Sequence, residues 1–135
     1  ADCSSWVEAC TLQTALTGAV SGEEIWVAAG IYKPTSDPTT REVSFQLKDG
    51  VAIYGGFSGI ETERSQRNWD TNLTVLSGDI DDNDSQTPII SDLTTVSGND
   101  SNSYHVVTGS SVNDSTILDG FTITAGWANI SDFHG

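Results

Sequence analysis

The hydrophobic positions near the start of the chain follow a helical period. Between residues 11 and 20 the apolar side chains form the i, i+3, i+4 stripe of a short amphipathic helix, and they are Leu12, Ala15, Leu16, Ala19 and Val20. Thr11 is the predicted N-cap of this helix. The pair Ser21-Gly22 supplies a glycine that can turn out of a helix. The pattern therefore predicts one short helix that stops at Gly22.

After Gly22 the pattern changes to short β-prone runs. The first covers residues 24–32 and stops before Pro34, and the others cover residues 43–47, 51–57, 73–78, 104–109 and 116–124. The glycines at 30, 55, 78 and 109 are 25, 23 and 31 residues apart, as expected of stacked repeats. The polar connections 34–42, 58–71 and 80–102 are long for an antiparallel sandwich, whose strands recur every 8–12 residues or so.

Three segments carry a resemblance to a known group of proteins. Residues 11–32, a short helix followed by Gly-x-x-Ile-x-Val-Ala-x-Gly-x-Tyr, resemble the cap and first strand of pectate-lyase-like parallel β-helix proteins. Residues 47–57 and 118–126 resemble bacterial secreted proteins with right-handed β-helix repeats, related to polymorphic outer-membrane-protein repeats. The resemblance implies a mostly β fold, a right-handed parallel β-helix (β-solenoid) with a short N-terminal capping helix. It does not specify an activity, because the family includes lyases, hydrolases and adhesins.

We predict a single domain over residues 1–135, which is long enough to bury a core. Residues 1–32 would form the cap helix and the first strand, and residues 33–135 the first β-helix coils with long loops. The β-helix proteins that this chain resembles continue into further coils, so the fold is expected to be truncated at its C-terminal end. An open strand edge there predicts self-association into a homo-oligomer or a filament.

The charge of the chain restricts its partners. The formal net charge is −14, from 19 acidic and 5 basic residues, so a nucleic acid is excluded as a partner. No apolar run approaches the roughly 20 residues of a membrane span, so no direct membrane insertion is expected. The chain contains no Met and starts at an Ala, which suits a mature terminus left by signal-peptide cleavage. We therefore expect a secreted protein, extracellular or at the cell surface.

The sequence contains one candidate disulfide and one candidate metal site. Cys3 and Cys10 can pair in a disulfide across a short loop, with two reduced thiols or half of a metal site as alternatives. The run 79–84 is rich in the oxygen ligands that calcium prefers, although it lacks the Gly and Glu of an EF-hand. A non-EF calcium site remains open beside a solvated acidic turn, and its ligands would be Asp79, Asp81, Asn83 and Asp84.

No catalytic residue can be assigned from the sequence. His105, predicted in a strand, and His134 have no nucleophile or acid at motif spacing, so both are interpreted as structural. Trp69 and Trp127 fall near loops, where an exposed indole can stack on a sugar ring.

The sequence favours a non-catalytic extracellular structural or adhesive module. One alternative is the N-terminal part of a polysaccharide lyase or glycoside hydrolase whose active site lies outside this chain. Another is a carbohydrate-binding module, for which the partner would be a surface polysaccharide.

Overall fold

A computed structural model describes residues 2–129 of the chain. Its helices are α1 (Leu12–Gly18) and two 3₁₀ turns at Arg64–Gln66 and Asn99–Ser101. The strands are β1 (Glu24–Ala28), β2 (Gly30–Tyr32), β3 (Phe45–Gln46), β4 (Ala52–Phe57), β5 (Thr74–Ser77), β6 (Val107–Thr108), β7 (Ile117–Asp119) and β8 (Thr122–Thr124).

The helix predicted from the apolar stripe is confirmed, although it is shorter than expected. Thr11 is the N-cap, and its side chain accepts a hydrogen bond of 3.1 Å from the backbone N–H of Thr14. Leu12 and Leu16 are buried on the inner side of the helix. The helix ends at Gly18, and Gly22 forms a later turn with φ +94°.

The strands form three small sheets, two of three strands and one of two. The first has the order β1-β4-β7, with parallel pairing that sets Trp26 opposite Tyr54 and Ala52 opposite Ile117. Its central strand β4 is buried along its whole length. The second sheet has the order β2-β5-β8, and the third pairs β3 with β6.

The prediction of a right-handed parallel β-helix with a capping helix is wrong for this part of the chain. Residues 2–129 form one α-helix and strands of 2–6 residues in three separate small sheets. Two of the longest predicted strands are interrupted: residues 24–32 split at Ala29, and residues 116–124 split at Gly120, which has φ +86°. At these two positions the β-prone composition reflects local propensity, which does not show where a strand is interrupted.

The described residues divide into two compact units that are interleaved along the chain. The first unit contains residues 2–30, 46–74 and 109–122, and the second contains residues 31–45, 75–108 and 123–129. In the first unit Trp26 stacks on Phe57 with ring centroids 4.8 Å apart, and Trp6 packs beside both rings. The second unit buries Phe45, Val75, Leu76, Ile80 and Val106. The single domain over residues 1–135 stays a prediction.

Three further expectations can be compared with the structure. The predicted disulfide is confirmed, and it joins Cys3 to Cys10 with their Cα atoms 5.0 Å apart. His105 lies in a loop before β6, so its assignment to a strand is wrong, and His134 lies outside the described residues. Among residues 2–129 no helix has the length and apolar character needed to cross a membrane.

Candidate functional site

The acidic segment 79–84 is separated from the end of β5 by Gly78 and lies in the second unit. Asp79 and Asp84 are buried, with exposed fractions of 4% and 8%. The side-chain amide of Asn102 donates a hydrogen bond of 2.7 Å to Asp84 Oδ2. Asp79 Oδ1 accepts a bond of 3.1 Å from the backbone N–H of Asn83. The segment is therefore an ordered loop, and two of its carboxylates are held away from bulk water.

The four predicted calcium ligands, Asp79, Asp81, Asn83 and Asp84, make different side-chain contacts. Asp79 and Asp84 line a cavity of about 40 Å³ together with Asp82 and Lys33, which form an ion pair. The other two ligands meet at Ser101. The Ser101 hydroxyl donates to Asp81 Oδ2 at 2.7 Å, and the Asn83 amide donates to Ser101 at 3.1 Å.

The charges in this loop leave Asp84 partly uncompensated. Burial raises the pKa of the Asp84 carboxyl, and the nearby carboxylates of Asp79 and Asp81 raise it further, while the bond from Asn102 and the charge of Lys33 act in the opposite direction. Asp84 Oδ1 is buried and has no hydrogen-bond partner among the described residues. No three carboxylate, imidazole or thiolate groups within residues 2–129 are grouped to hold a metal ion, so calcium stays a prediction.

A second candidate site, the Trp69 cleft, lies in the first unit. It is an open cleft of about 400 Å³ lined by Glu24, Arg64, Ser65, Arg67 and Trp69. Sequence reasoning selected Trp69 and missed the two arginines and Glu24. A signal for the arginines was available, because two of the five basic residues of the chain stand within five residues of Trp69.

The turn that carries Trp69 is fastened to β4. The carbonyl oxygen of Gly56 accepts hydrogen bonds from the Asn68 backbone N–H at 2.7 Å and the Asn72 side chain at 3.1 Å. Asn68 Oδ1 in turn accepts from the backbone N–H groups of Asp70 and Thr71. These bonds hold the backbone on both sides of Trp69, while the residue remains 54% exposed.

Gly56 makes this close approach possible. Its φ is +95°, a conformation that residues with a side chain rarely adopt. A Cβ at this position would lie 2.9 Å from both the Cα and the N of Trp69, closer than real Cβ contacts. The absence of a side chain at Gly56 therefore sets the position of the Trp69 turn.

The two arginines of the cleft have different environments. Arg67 is mostly buried: it donates to Asp119 Oδ1 at 2.7 Å and to the Gly55 carbonyl at 3.2 Å, and its guanidinium lies 4.9 Å from the Trp69 ring centroid. Arg64 is about half exposed, and it donates to Glu24 and, at 3.1 Å, to the hydroxyl of Tyr54. Arg67 is thus held by its bonds to Asp119 and Gly55, while Arg64 exposes part of its guanidinium to a ligand.

The Trp69 cleft combines three kinds of contact within one small area. Trp69 supplies a flat apolar face, Arg64 supplies hydrogen-bond donors, and Glu24 supplies a partly exposed carboxylate acceptor. Sugars present the matching chemistry, with C–H groups on a ring face and hydroxyl groups around its edge. Trp127, the other predicted sugar contact, is only partly exposed, and its carbonyl accepts a bond of 3.2 Å from Arg41.

Comparison with known proteins adds no family to these observations. No protein-family model, no curated protein and no solved structure matches the chain. The resemblance to β-helix repeat proteins therefore stays untested.

Proposed function

We propose that the protein is a non-catalytic extracellular adhesive module that binds carbohydrate at the Trp69 cleft. The observation that carries this proposal is a half-exposed tryptophan held on a turn whose backbone is bonded to the central strand of a sheet. An exposed indole on an ordered turn presents a flat apolar face on which a sugar ring can stack. Because the turn is already ordered, little conformational entropy is lost on binding.

The disulfide supports the extracellular part of the proposal. Disulfides persist in oxidising compartments and are rare in the reducing cytosol. The Cys3–Cys10 loop contains Trp6, whose indole N–H donates a hydrogen bond of 2.9 Å to the carbonyl of Glu61. The bridge thus closes a loop that is tied to the same unit as the Trp69 cleft.

The test is a glycan array probed with the wild type, with Trp69→Ala and with Ile60→Ala. Ile60 is an exposed apolar residue of the same unit outside the cleft, so its variant is the matched control. An aromatic residue central to a binding site typically contributes at least 2 kcal/mol, so we expect Trp69→Ala to weaken binding about 30-fold. Ile60→Ala should bind as the wild type does.

Two results would contradict the proposal. The first is an array without signal for the wild-type protein, and the second is a signal that Trp69→Ala leaves unchanged. Circular dichroism of the variant shows whether a lost signal reflects lost binding or lost folding. Incubation of each bound glycan with the protein, followed by a reducing-end assay, tests the non-catalytic part of the proposal, because released sugar would indicate an enzyme.

A further inference from the structure

The charged groups around the Trp69 cleft neutralise one another in pairs. Arg64 pairs with Glu24, and Arg67 pairs with Asp119 at 2.7 Å. Glu24 also accepts a hydrogen bond of 2.9 Å from the indole N–H of Trp26, which holds its carboxylate in place. The two cationic side chains are thus matched by two carboxylates, and the cleft has no net positive charge with which to attract an anion.

The rest of the chain adds a negative field to this neutral cleft. The net charge of −14 produces a negative potential that raises the free energy of bringing a polyanion to the surface. Glu24 stands within the cleft itself, with its side chain 38% exposed. A carboxylated or sulfated sugar bound on Trp69 would lie near the Glu24 carboxylate as well as near the Arg64 guanidinium, so the cleft itself offers it no net attraction.

The remaining contacts are short-range and suit uncharged hydroxyl groups. Arg64 is 47% exposed despite its pair with Glu24 and can donate to a hydroxyl, Glu24 can accept from one, and Ser65 can do either. The indole of Trp69 favours the apolar face of a sugar ring irrespective of its charge.

We infer that the ligand of the Trp69 cleft is a neutral polysaccharide built from uncharged sugars, and that polyuronates and sulfated glycans are excluded. This inference rests on the proposed carbohydrate-binding function and narrows it to one chemical class. The selectivity comes from the Arg64–Glu24 and Arg67–Asp119 pairs, which keep the cleft neutral in a strongly acidic protein.

The experiment measures binding to four soluble polymers by affinity electrophoresis and titration calorimetry. Two are neutral, a β-glucan and a galactomannan, and two are anionic, polygalacturonate and alginate. The expected result is binding to a neutral polymer that changes less than about twofold between low and high salt, since it involves no net charge pairing. Trp69→Ala should weaken this binding about 30-fold, and Ile60→Ala should leave it unchanged.

The possible outcomes distinguish a failure of the neutral-ligand inference from a failure of the proposed carbohydrate binding. Binding to polygalacturonate or alginate alone, lost in Trp69→Ala and weakened by salt, overturns the inference and leaves carbohydrate binding intact. No Trp69-dependent binding to any of the four polymers, together with a blank glycan array, overturns both. Glu24→Gln removes one carboxylate from the cleft, so it should increase binding of the anionic polymers relative to binding of the neutral ones. Failure of that gain would contradict the electrostatic origin of the selectivity.

Discussion

At Gly56, the lack of a side chain determines where Trp69 can stand. Gly56→Ala should destabilise the protein by about 1–3 kcal/mol through the strained φ alone, and it should also displace the Trp69 turn. Gly59→Ala is the matched control, because Gly59 has a similar φ of +101° and open space where its Cβ would lie. Urea unfolding should show a lower free energy of unfolding for both variants than for the wild type, and the lower value of the two for Gly56→Ala. Only Gly56→Ala should lose glycan binding, and equal binding by both would contradict the role of Gly56.

Asp84 should make stability depend on pH in a direction fixed by its environment. Burial raises the pKa of the Asp84 carboxyl in the folded state. Its contribution to the stability of the folded protein is therefore complete below the unfolded pKa of 3.8, and it is lost as the pH rises through the raised pKa. Asn resembles the protonated acid. The free energy of unfolding of Asp84→Asn, relative to that of the wild type, should therefore increase as the pH rises from about 3 to about 7. Urea unfolding at both pH values measures this difference.

Asp92 provides a control of opposite sign. Hydrogen bonds from the side chain and the backbone N–H of Thr94 lower the pKa of the Asp92 carboxyl. Its contribution is present above the unfolded pKa and is lost as the pH falls through the lowered folded value. The free energy of unfolding of Asp92→Asn, relative to that of the wild type, should therefore decrease as the pH rises over the same range. If both variants changed in the same direction, the assignment for Asp84 would be wrong.

The acidic loop also carries the calcium prediction. A ligand that binds only the folded protein at about ten times its dissociation constant adds about 1.4 kcal/mol to the free energy of unfolding. The melting temperature should therefore be higher in millimolar calcium than in chelator, and Asp84→Asn should reduce the difference. A melting temperature that is equal in calcium and in chelator would remove the site.

The two candidate sites differ in how far their residues could be predicted. The acidic loop is contiguous in sequence, so its residues were selected together, but the local pattern could not show that Asp84 bonds to Asn102 and Asp81 to Ser101. Glu24 is 40 residues from Arg64. The two meet because β1 pairs with β4 in the register that sets Trp26 opposite Tyr54, a long-range fact that local patterns do not contain.

The helix α1 depends on its N-cap at the level of a single element. Thr11→Ala removes the acceptor of the 3.1 Å bond from the Thr14 N–H, and it should destabilise the protein by about 1 kcal/mol. Thr17→Ala is the control, because the Thr17 hydroxyl donates to the carbonyl of Gln13 within the helix and caps nothing. Thermal unfolding should show a loss for Thr11→Ala and no loss for Thr17→Ala. Equal losses would mean that the cap does not contribute.

The elements were predictable where several local signals agreed. The helix had both a stripe and a capping residue, and β4 had a continuous apolar run that matches its full burial. The runs 43–47 and 104–109 were reduced to the two-residue strands β3 and β6. Backbone pairing decides where such strands end, and the partner of a strand is not visible in its own composition.

Self-association is a prediction for the whole molecule. Within residues 2–129, β7 is an edge strand of the first sheet, and it contains Ile117, which is exposed. Sedimentation velocity at micromolar concentration should therefore show association, and added salt should strengthen it by screening the net charge of −14. Ile117→Lys should reduce the association, while Ile60→Lys should have little effect. A monomer at every concentration and salt level would refute this prediction.

The turn that presents Trp69 has a consequence for how this protein could acquire new targets. Its backbone is supported by Asn68, Asn72 and Gly56, and none of the hydrogen bonds described for the turn uses the indole. Replacing Trp69 would therefore keep these hydrogen bonds and remove only the contact of its ring with the Arg67 guanidinium, much as a loop position is varied in a binding library. A scaffold of this kind can be retargeted one display residue at a time, while its sheet and its disulfide remain unchanged.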